Sequence, residues 1–273
     1  MPTPIDYEKF IHPQDRMALK ALKAIPLFDS LIKGYLSIFD EKLMRGINMA
    51  SKIRLSPTQL PEYYNLLPEI CDSIGIKEPE FYLEMNPLPN AYTFGDTNPF
   101  IVINSGIIDL LSKDELKAVI AHECGHILCH HVLYNSVARC VVNLGFNLFG
   151  IPDAALKPII WGLMYWSRRS EFSSDRVAAY VMDNSETVVK TMIRLSGGGP
   201  SITDRVNIKE YLAQADEYAN LLEDSKYNKL LQAYAIKEMD HPFSAVRSRE
   251  INLWFDENKD DLPPKIITTG EWY

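Results

Sequence analysis

The chain has 273 residues, 47% of them apolar and 23% charged, which reads as a globular chain with room for one large domain or two small ones around a sizeable core. A net charge of -8 carries no basic footprint and argues against a nucleic-acid partner. The four cysteines (Cys71, Cys124, Cys129 and Cys140) have no CxxC spacing, which excludes a dense disulfide framework and reads as reduced cytosolic thiols.

The opening stretch, "MPTPIDYEKFIHPQDR", has no apolar run behind a basic start. No secretory signal is expected, and a cytoplasmic location follows as the default. From Ala18 to Ile53 apolar residues recur at helical spacing, broken by Pro26. A second helical stretch runs from Ser56 to Ile76 between turn residues. Ser56-Pro57 is the candidate boundary, dividing an N-terminal helical segment, residues 1–56, from the remainder, residues 57–273. The amphipathic segment Met1 to Lys52 must bury its apolar stripe somewhere. It is expected either to pack over the rest and restrict a cleft, or to act as a structural cap.

"EFYLEMN" alternates as a strand. "NAYTFG" and "FIVIN" flank Asp96 to Pro99, whose composition favours a turn, and together they read as a hairpin. Helices return after it, so the expected class is α+β, predominantly helical, with a small sheet. Ser112 stands three residues before Glu115 ahead of an apolar run, the spacing of a capping box. The proline-free run Glu115 to Leu133 then reads as one helix, in which Gly125 is tolerable at about 1 kcal/mol.

Four of the six histidines fall within Ala118 to Val132. His122 and His126 are four apart, so on a helix they share a face and are spaced to hold one zinc through two imidazoles. Glu123 is offset by about a hundred degrees and reaches a water on that metal. That is the mechanical content of His-Glu-x-x-His. The bland alternative is a buried helix that carries histidines without metal. Tetrahedral zinc needs one more protein ligand beside a water. "YWSRRSEFSSDRVAAYVM" offers Glu171 for it, with Asp175 one turn on to accept the second N–H of a ligand histidine. The alternative is a solvated face in which Glu171 and Asp175 pair with Arg168 and Arg169. Cys124, Cys129, His130 and His131 are expected to pack or hydrogen-bond rather than to ligate.

These stretches resemble the zinc metallopeptidase family of the HtpX heat-shock protease and the CAAX prenyl endopeptidase, within the gluzincins. The resemblance rests on "NAYTFG", on "SGIIDLLSKDELKAVIAHECGHILCHH" with His131 at the trailing position, on "SEFSSDRVAA", and on "DHPFSAVRSRE". It spans roughly Phe81 to Glu250. It implies a zincin-like fold with the small sheet beside the active-site helix, and one zinc per chain on His122, His126 and Glu171. It further implies Glu123 as base, Asp175 behind a ligand, His241 as a donor to the oxyanion and Arg247 as a brace. The expected activity is a zinc-dependent endopeptidase that takes extended or unfolded polypeptide as a strand alongside Asn90, Ala91 and Tyr92. Two rivals use the same residues: a zinc-containing, chaperone-like peptide-binding module without turnover (or a latent protease), and a membrane-surface interaction protein.

One departure from the family bears on location. Membrane members carry transmembrane helices, some of them between the histidine motif and the ligand glutamate. Here Cys140 to Pro152 and Ile159 to Ser167 each fall short of the roughly 20 apolar residues a span requires. Two packed helices are expected instead, with Trp161, Tyr165 and Trp166 suited to a shallow, peripheral membrane contact.

Overall fold

The computed structural model describes residues 5–144, 153–223 and 243–265. The first helical stretch resolves into three pieces: α1 (Pro13–Lys23), α2 (Phe28–Ile38) and α3 (Glu41–Ser51). Each start has a local cause. His12 caps α1 by accepting the Gln14 N–H on Nδ1, and Pro13 occupies a first-turn position where its missing N–H costs nothing. Pro26 cannot donate within a continuing helix, and Leu27 turns the chain with a φ of 66°. Asp40 caps α3 through the Lys42 N–H.

Four strands form one sheet in the order β1-β2-β4-β3: β1 (Ile53–Arg54), β2 (Glu80–Glu84), β3 (Ala91–Phe94) and β4 (Phe100–Asn104). The expected hairpin is present, with β3 antiparallel to β4 and Tyr92 opposite Val102. β2 runs parallel to β4. Ile53, read as the end of a helical stretch, instead pairs with Leu83, and Arg54 beside it with Tyr82, at the far edge. All five residues of β4 are buried because both faces of the sheet are covered. Phe81, Ile101 and Ile103 face one core; Tyr82, Phe100 and Val102 face the other.

The first core is closed by α5 (Leu66–Ile74), which follows the short α4 (Pro61–Tyr64), by α7 (Lys113–Leu128), which follows the short α6 (Ser105–Leu110), and by α10 (Glu186–Gly197), the second half of α9 (Asp153–Met182) and a helix at Ser244–Asn258. The second is closed by α1, α2, α8 (Val132–Leu144) and the first half of α9. Residues Ile159 to Ser167 therefore share one 30-residue helix with Glu171 and Asp175, and Pro158 is accommodated in its second turn. Residues 145–152 lie outside the described residues. Among the described residues no helix is long and apolar enough to cross a membrane. Trp161 and Tyr165 are exposed one turn apart, but Trp166 is 0% exposed and donates Nε1–H to Asp15 Oδ1 at 2.8 Å. Trp166 is thus unavailable for the membrane contact expected of it.

α7 starts on the expected capping box: Ser112 Oγ accepts the Glu115 N–H, and Glu115 Oε2 accepts the Ser112 N–H at 2.8 Å. It ends sooner than its sequence suggests. His130 adopts a left-handed φ of 59°, the His131 N–H bonds back to His126 O at 2.9 Å, and the His130 N–H bonds to Ile127 O at 3.2 Å. This Schellman closure folds His131 back beneath the last turn instead of carrying it onward.

Candidate metal centre

α7 presents His122 and His126 with their rings edge to face, centroids 4.8 Å apart. α9 brings Glu171 against both. Glu171 Oε2 lies 3.4 Å from His122 Nε2, and Oε1 lies 3.3 Å from His126 Nε2. All three side chains are buried, and their ligating atoms lie within 4.8 Å of one another. Bonds of roughly 2.0–2.2 Å at tetrahedral angles put ligand atoms roughly 3.3–3.6 Å apart. Each histidine nitrogen lies at that spacing from one Glu171 oxygen, so the donor set fits a single metal ion. The charges fit as well. Three carboxyl side chains, Glu123, Glu171 and Asp175, stand beside one guanidinium, Arg247, in a buried site, surroundings that favour a bound cation.

The close approach of α9 has a visible cause in Gly125. A Cβ there would stand 3.0 Å from Ser174 Cα and 3.1 Å from Ser174 O. Small residues on both helices, Gly125 facing Ser174, let the backbones come together and carry Glu171 to the histidines.

Behind the trio sits a charged brace. Asp175 Oδ1 takes His122 Nδ1 at 2.9 Å. Arg247, from the Ser244–Asn258 helix, donates Nε to Asp175 Oδ2 at 2.8 Å and Nη2 to Oδ1 at 2.6 Å, and its Nη1 lies 3.0 Å from Glu171 Oε2. The two carboxylates therefore pair with Arg247 rather than with Arg168 and Arg169. Burial works against charge on Asp175, but Arg247 and His122 hold its carboxyl below the usual range. Burial likewise opposes protonation of His122, yet hydrogen bonds to Asp175 and Glu171 outweigh it and push that imidazole up to about 10. At His126 burial prevails and lowers the pKa, Glu171 offsetting it only in part. The difference lies behind the rings: Asp175 backs His122, whereas Ser174 Oγ at 2.9 Å and His131 Nδ1 at 3.1 Å back His126. Positive charge at His122 is thus favoured, and a metal bound there would take the place of a proton.

Glu123 is 2% exposed, and its Oε2 accepts the Thr93 hydroxyl at 2.6 Å. Thr93 was not foreseen as a site residue; it lies on β3, the strand beside α7. A cleft of about 390 Å³ opens here, and Asn90, Ala91, Val119, Glu123, Met192 and Arg247 are among its lining. Tyr92 is not: its hydroxyl meets Lys52 Nζ at 2.6 Å, toward the second core. Asn90 O accepts the Asn104 N–H at 2.9 Å, so Asn90 and Asn104 form a hydrogen-bonded pair. Alternation along the antiparallel ladder then turns the main chains of Ala91 and Thr93 toward the open edge. The next outward position, Gly95, is closed by the Ser136 hydroxyl. His241 and Pro242 lie outside the described residues.

The profile of peptidase family M48 matches residues 61–254. The chain is 31% identical over 252 residues to the plastoglobule-localized metallopeptidase 48, chloroplastic, of Arabidopsis thaliana, covering 92% of this chain and 73% of the plant protein. A protease HtpX homolog of Helicobacter acinonychis is 32% identical over 162 residues, 50% of this chain and 52% of that protein. Protease HtpX of Legionella pneumophila (strain Lens) is 24% identical over 182 residues, 57% and 62% respectively. The chain thus spans between half and two thirds of these bacterial relatives. No solved structure matches it.

Proposed function

The chain belongs to peptidase family M48, and on that premise we propose that it is a zinc-dependent endopeptidase of extended or unfolded polypeptide segments. The observation that carries the zinc reading is the spacing of His122, His126 and Glu171, which suits one ion per chain. When bound, zinc supplies Lewis acidity, bringing water toward ionisation near neutral pH and polarising a carbonyl.

The chain's own residues do the rest. Asp175 accepts the Nδ1 proton of His122, which leaves Nε2 free of a proton as a ligand must be. Arg247 holds the Asp175 carboxyl below its usual range and pairs with Glu171 in the same buried site. Glu123 takes a proton from the attacking water and hands it to the leaving amine. His241, by the family resemblance, donates to the oxyanion. A substrate strand pairs with β3 through the outward main chains of Ala91 and Thr93, beside Asn90, and stops short of Gly95. That register moves main-chain recognition off Tyr92, whose side chain turns away from the cleft.

For location, we keep to a peripheral relation to any membrane, through exposed Trp161 and Tyr165. The buried, unpaired thiols suit a reducing compartment such as the cytosol. The plant relative is named for plastoglobules, and liposome flotation measures whether a lipid surface attracts this chain too.

Glu123→Gln tests the mechanism. The amide keeps the side chain's size but cannot take the proton. Cleavage of a reduced, carboxymethylated protein should fall by about 10²–10⁴, with zinc content and peptide affinity retained. Equal cleavage by the wild type and Glu123→Gln would show that the activity is not this site's. Binding without cleavage by both would favour the chaperone-like module.

A further inference from the structure

A run of buried side chains links the N-terminal helix to the candidate ligands, and no step above uses it. His126 faces Glu171 with Nε2 and turns Nδ1 the other way, toward Ser174 Oγ at 2.9 Å and His131 Nδ1 at 3.1 Å. His131 presents Nε2 to Asp15 Oδ2 at 3.0 Å. Asp15, on α1, also accepts from Ser173 Oγ at 2.6 Å and from Trp166 Nε1 at 2.8 Å. His126, His131 and Asp15 are all buried, so bulk water does not compete for these bonds.

The proton positions follow from the two ends of the run. Burial works against charge on Asp15, yet bonds from His131, Ser173 and Trp166 hold its carboxyl below the usual range. A carboxylate only accepts, so His131 carries a proton on Nε2. At the other end a ligand nitrogen carries none, so His126, ligating through Nε2, has its proton on Nδ1. That N–H meets the bare Nδ1 of His131. Both ring protons then point from the metal side toward Asp15, and neither ring needs a charge.

We infer that Asp15 is a positioning residue for the metal centre, acting through His131 to fix the tautomer and ring plane of His126, so that the N-terminal helix sets how firmly the ion is held. This rests on the zinc reading above. A ligand histidine whose second N–H has a fixed acceptor binds more tightly, and loss of such a partner weakens a metal by roughly 10–100-fold. Ser174 offers that N–H a second acceptor, but a neutral and rotatable one. His131 is backed by a negative charge and held from behind by its own N–H to His126 O.

The experiment is chelator competition for zinc on the full chain, with melting recorded in parallel. Wild type and Glu171→Ala come first. If tight binding does not depend on Glu171, the zinc reading fails and the inference with it. With the centre established, Asp15→Asn keeps the side chain's shape and removes its charge, and should weaken zinc by roughly tenfold. His131→Ala should weaken it by roughly 10–100-fold. Adding Asp15→Asn to His131→Ala should cost nothing more, because Asp15 acts through that ring. Trp166→Phe removes a donor to Asp15 and keeps an aromatic ring beside His131; it should lower the melting temperature and leave zinc affinity in place. Unchanged affinity in both Asp15→Asn and His131→Ala overturns the inference. So does an Asp15→Asn effect that persists in the His131→Ala background, or one that Trp166→Phe reproduces. Should His131→Ala fail to fold, His131→Gln carries the same cycle.

Discussion

The Glu123 carboxylate receives the Thr93 hydroxyl on Oε2, so one of its two oxygens is committed before substrate arrives and the other is left for water. Hydrogen bonds to charged groups contribute about 1.5–3 kcal/mol. Thr93→Val keeps the β-branched shape and deletes that bond. It should lower kcat by roughly 10–100-fold while KM and zinc content hold, and Thr93→Ser should restore most of the loss. Steady-state kinetics decide it: an unchanged kcat in Thr93→Val removes Thr93 from the machinery. The residue was not legible in the sequence because its pairing with Glu123 crosses from a strand to a helix. Helical spacing reports only neighbours on the same helix, which is why His122 and His126 could be read as a pair. Glu171 was reached by asking what chemistry the pair lacked. Asp15 had no such pointer, and His131 was expected to pack or hydrogen-bond without a partner being named. Their meeting depends on the left-handed His130, a conformation that histidine adopts without announcing it.

At the scale of elements, the α7–α9 crossing governs the site. Gly125 read as a tolerable flaw in a helix; in the fold it is what lets the two backbones meet. In Gly125→Ala the new Cβ would press on Ser174 Cα and O and on Val177 Cβ, at 3.0–3.1 Å, and backbone atoms cannot rotate away. The gain in helix propensity, about 1 kcal/mol, opposes an overpacking cost of about 1–3 kcal/mol. Net destabilisation is expected, and with it weaker zinc binding, because α9 carries Glu171 as it moves out. Calorimetry and zinc titration on the same preparation test this; a more stable variant with full zinc affinity would show that the crossing has slack. Other elements differed in how openly the sequence declared them. The capping box at Ser112 and the turn at Asp96 to Pro99 are local signals, and both elements formed where expected. The pairing of Ile53 and Arg54 with β2 depends on a strand some thirty residues away, and a two-residue strand has no period to read. The single long α9 runs on through Pro158, which forgoes one i→i−4 bond in the second turn without ending the helix, so the break a proline suggests in the sequence is absent from the fold.

At the scale of the molecule, the open matter is what residues 1–52 are for. Among the described residues lining the cleft, none comes from this segment. It contributes instead to both cores. Phe10, Leu22, Phe28 and Leu31 are each 0–1% exposed; Phe10 joins the first core, and the other three pack with Tyr82, Val102, Leu163 and Trp166 in the second. Burying one such side chain contributes roughly 1.5–3 kcal/mol, so four together approach the net stability of a whole domain, about 5–15 kcal/mol. Removing residues 1–52 should therefore yield an insoluble or loosely packed chain, not an activated enzyme. A graded variant keeps the matter testable if the truncated chain cannot be handled. Leu31→Ala leaves every candidate site residue in place and opens a cavity in the second core, at a cost of about 2–5 kcal/mol. Its melting temperature should fall, while kcat per folded molecule at a temperature well below melting stays at the wild-type level. A cleft restrained by this segment predicts the opposite: a loosened segment would raise turnover of a short fluorogenic peptide. Higher turnover in Leu31→Ala, or in soluble and folded truncated chain, would turn the N-terminal helices from a structural part of the fold into a restraint on its activity.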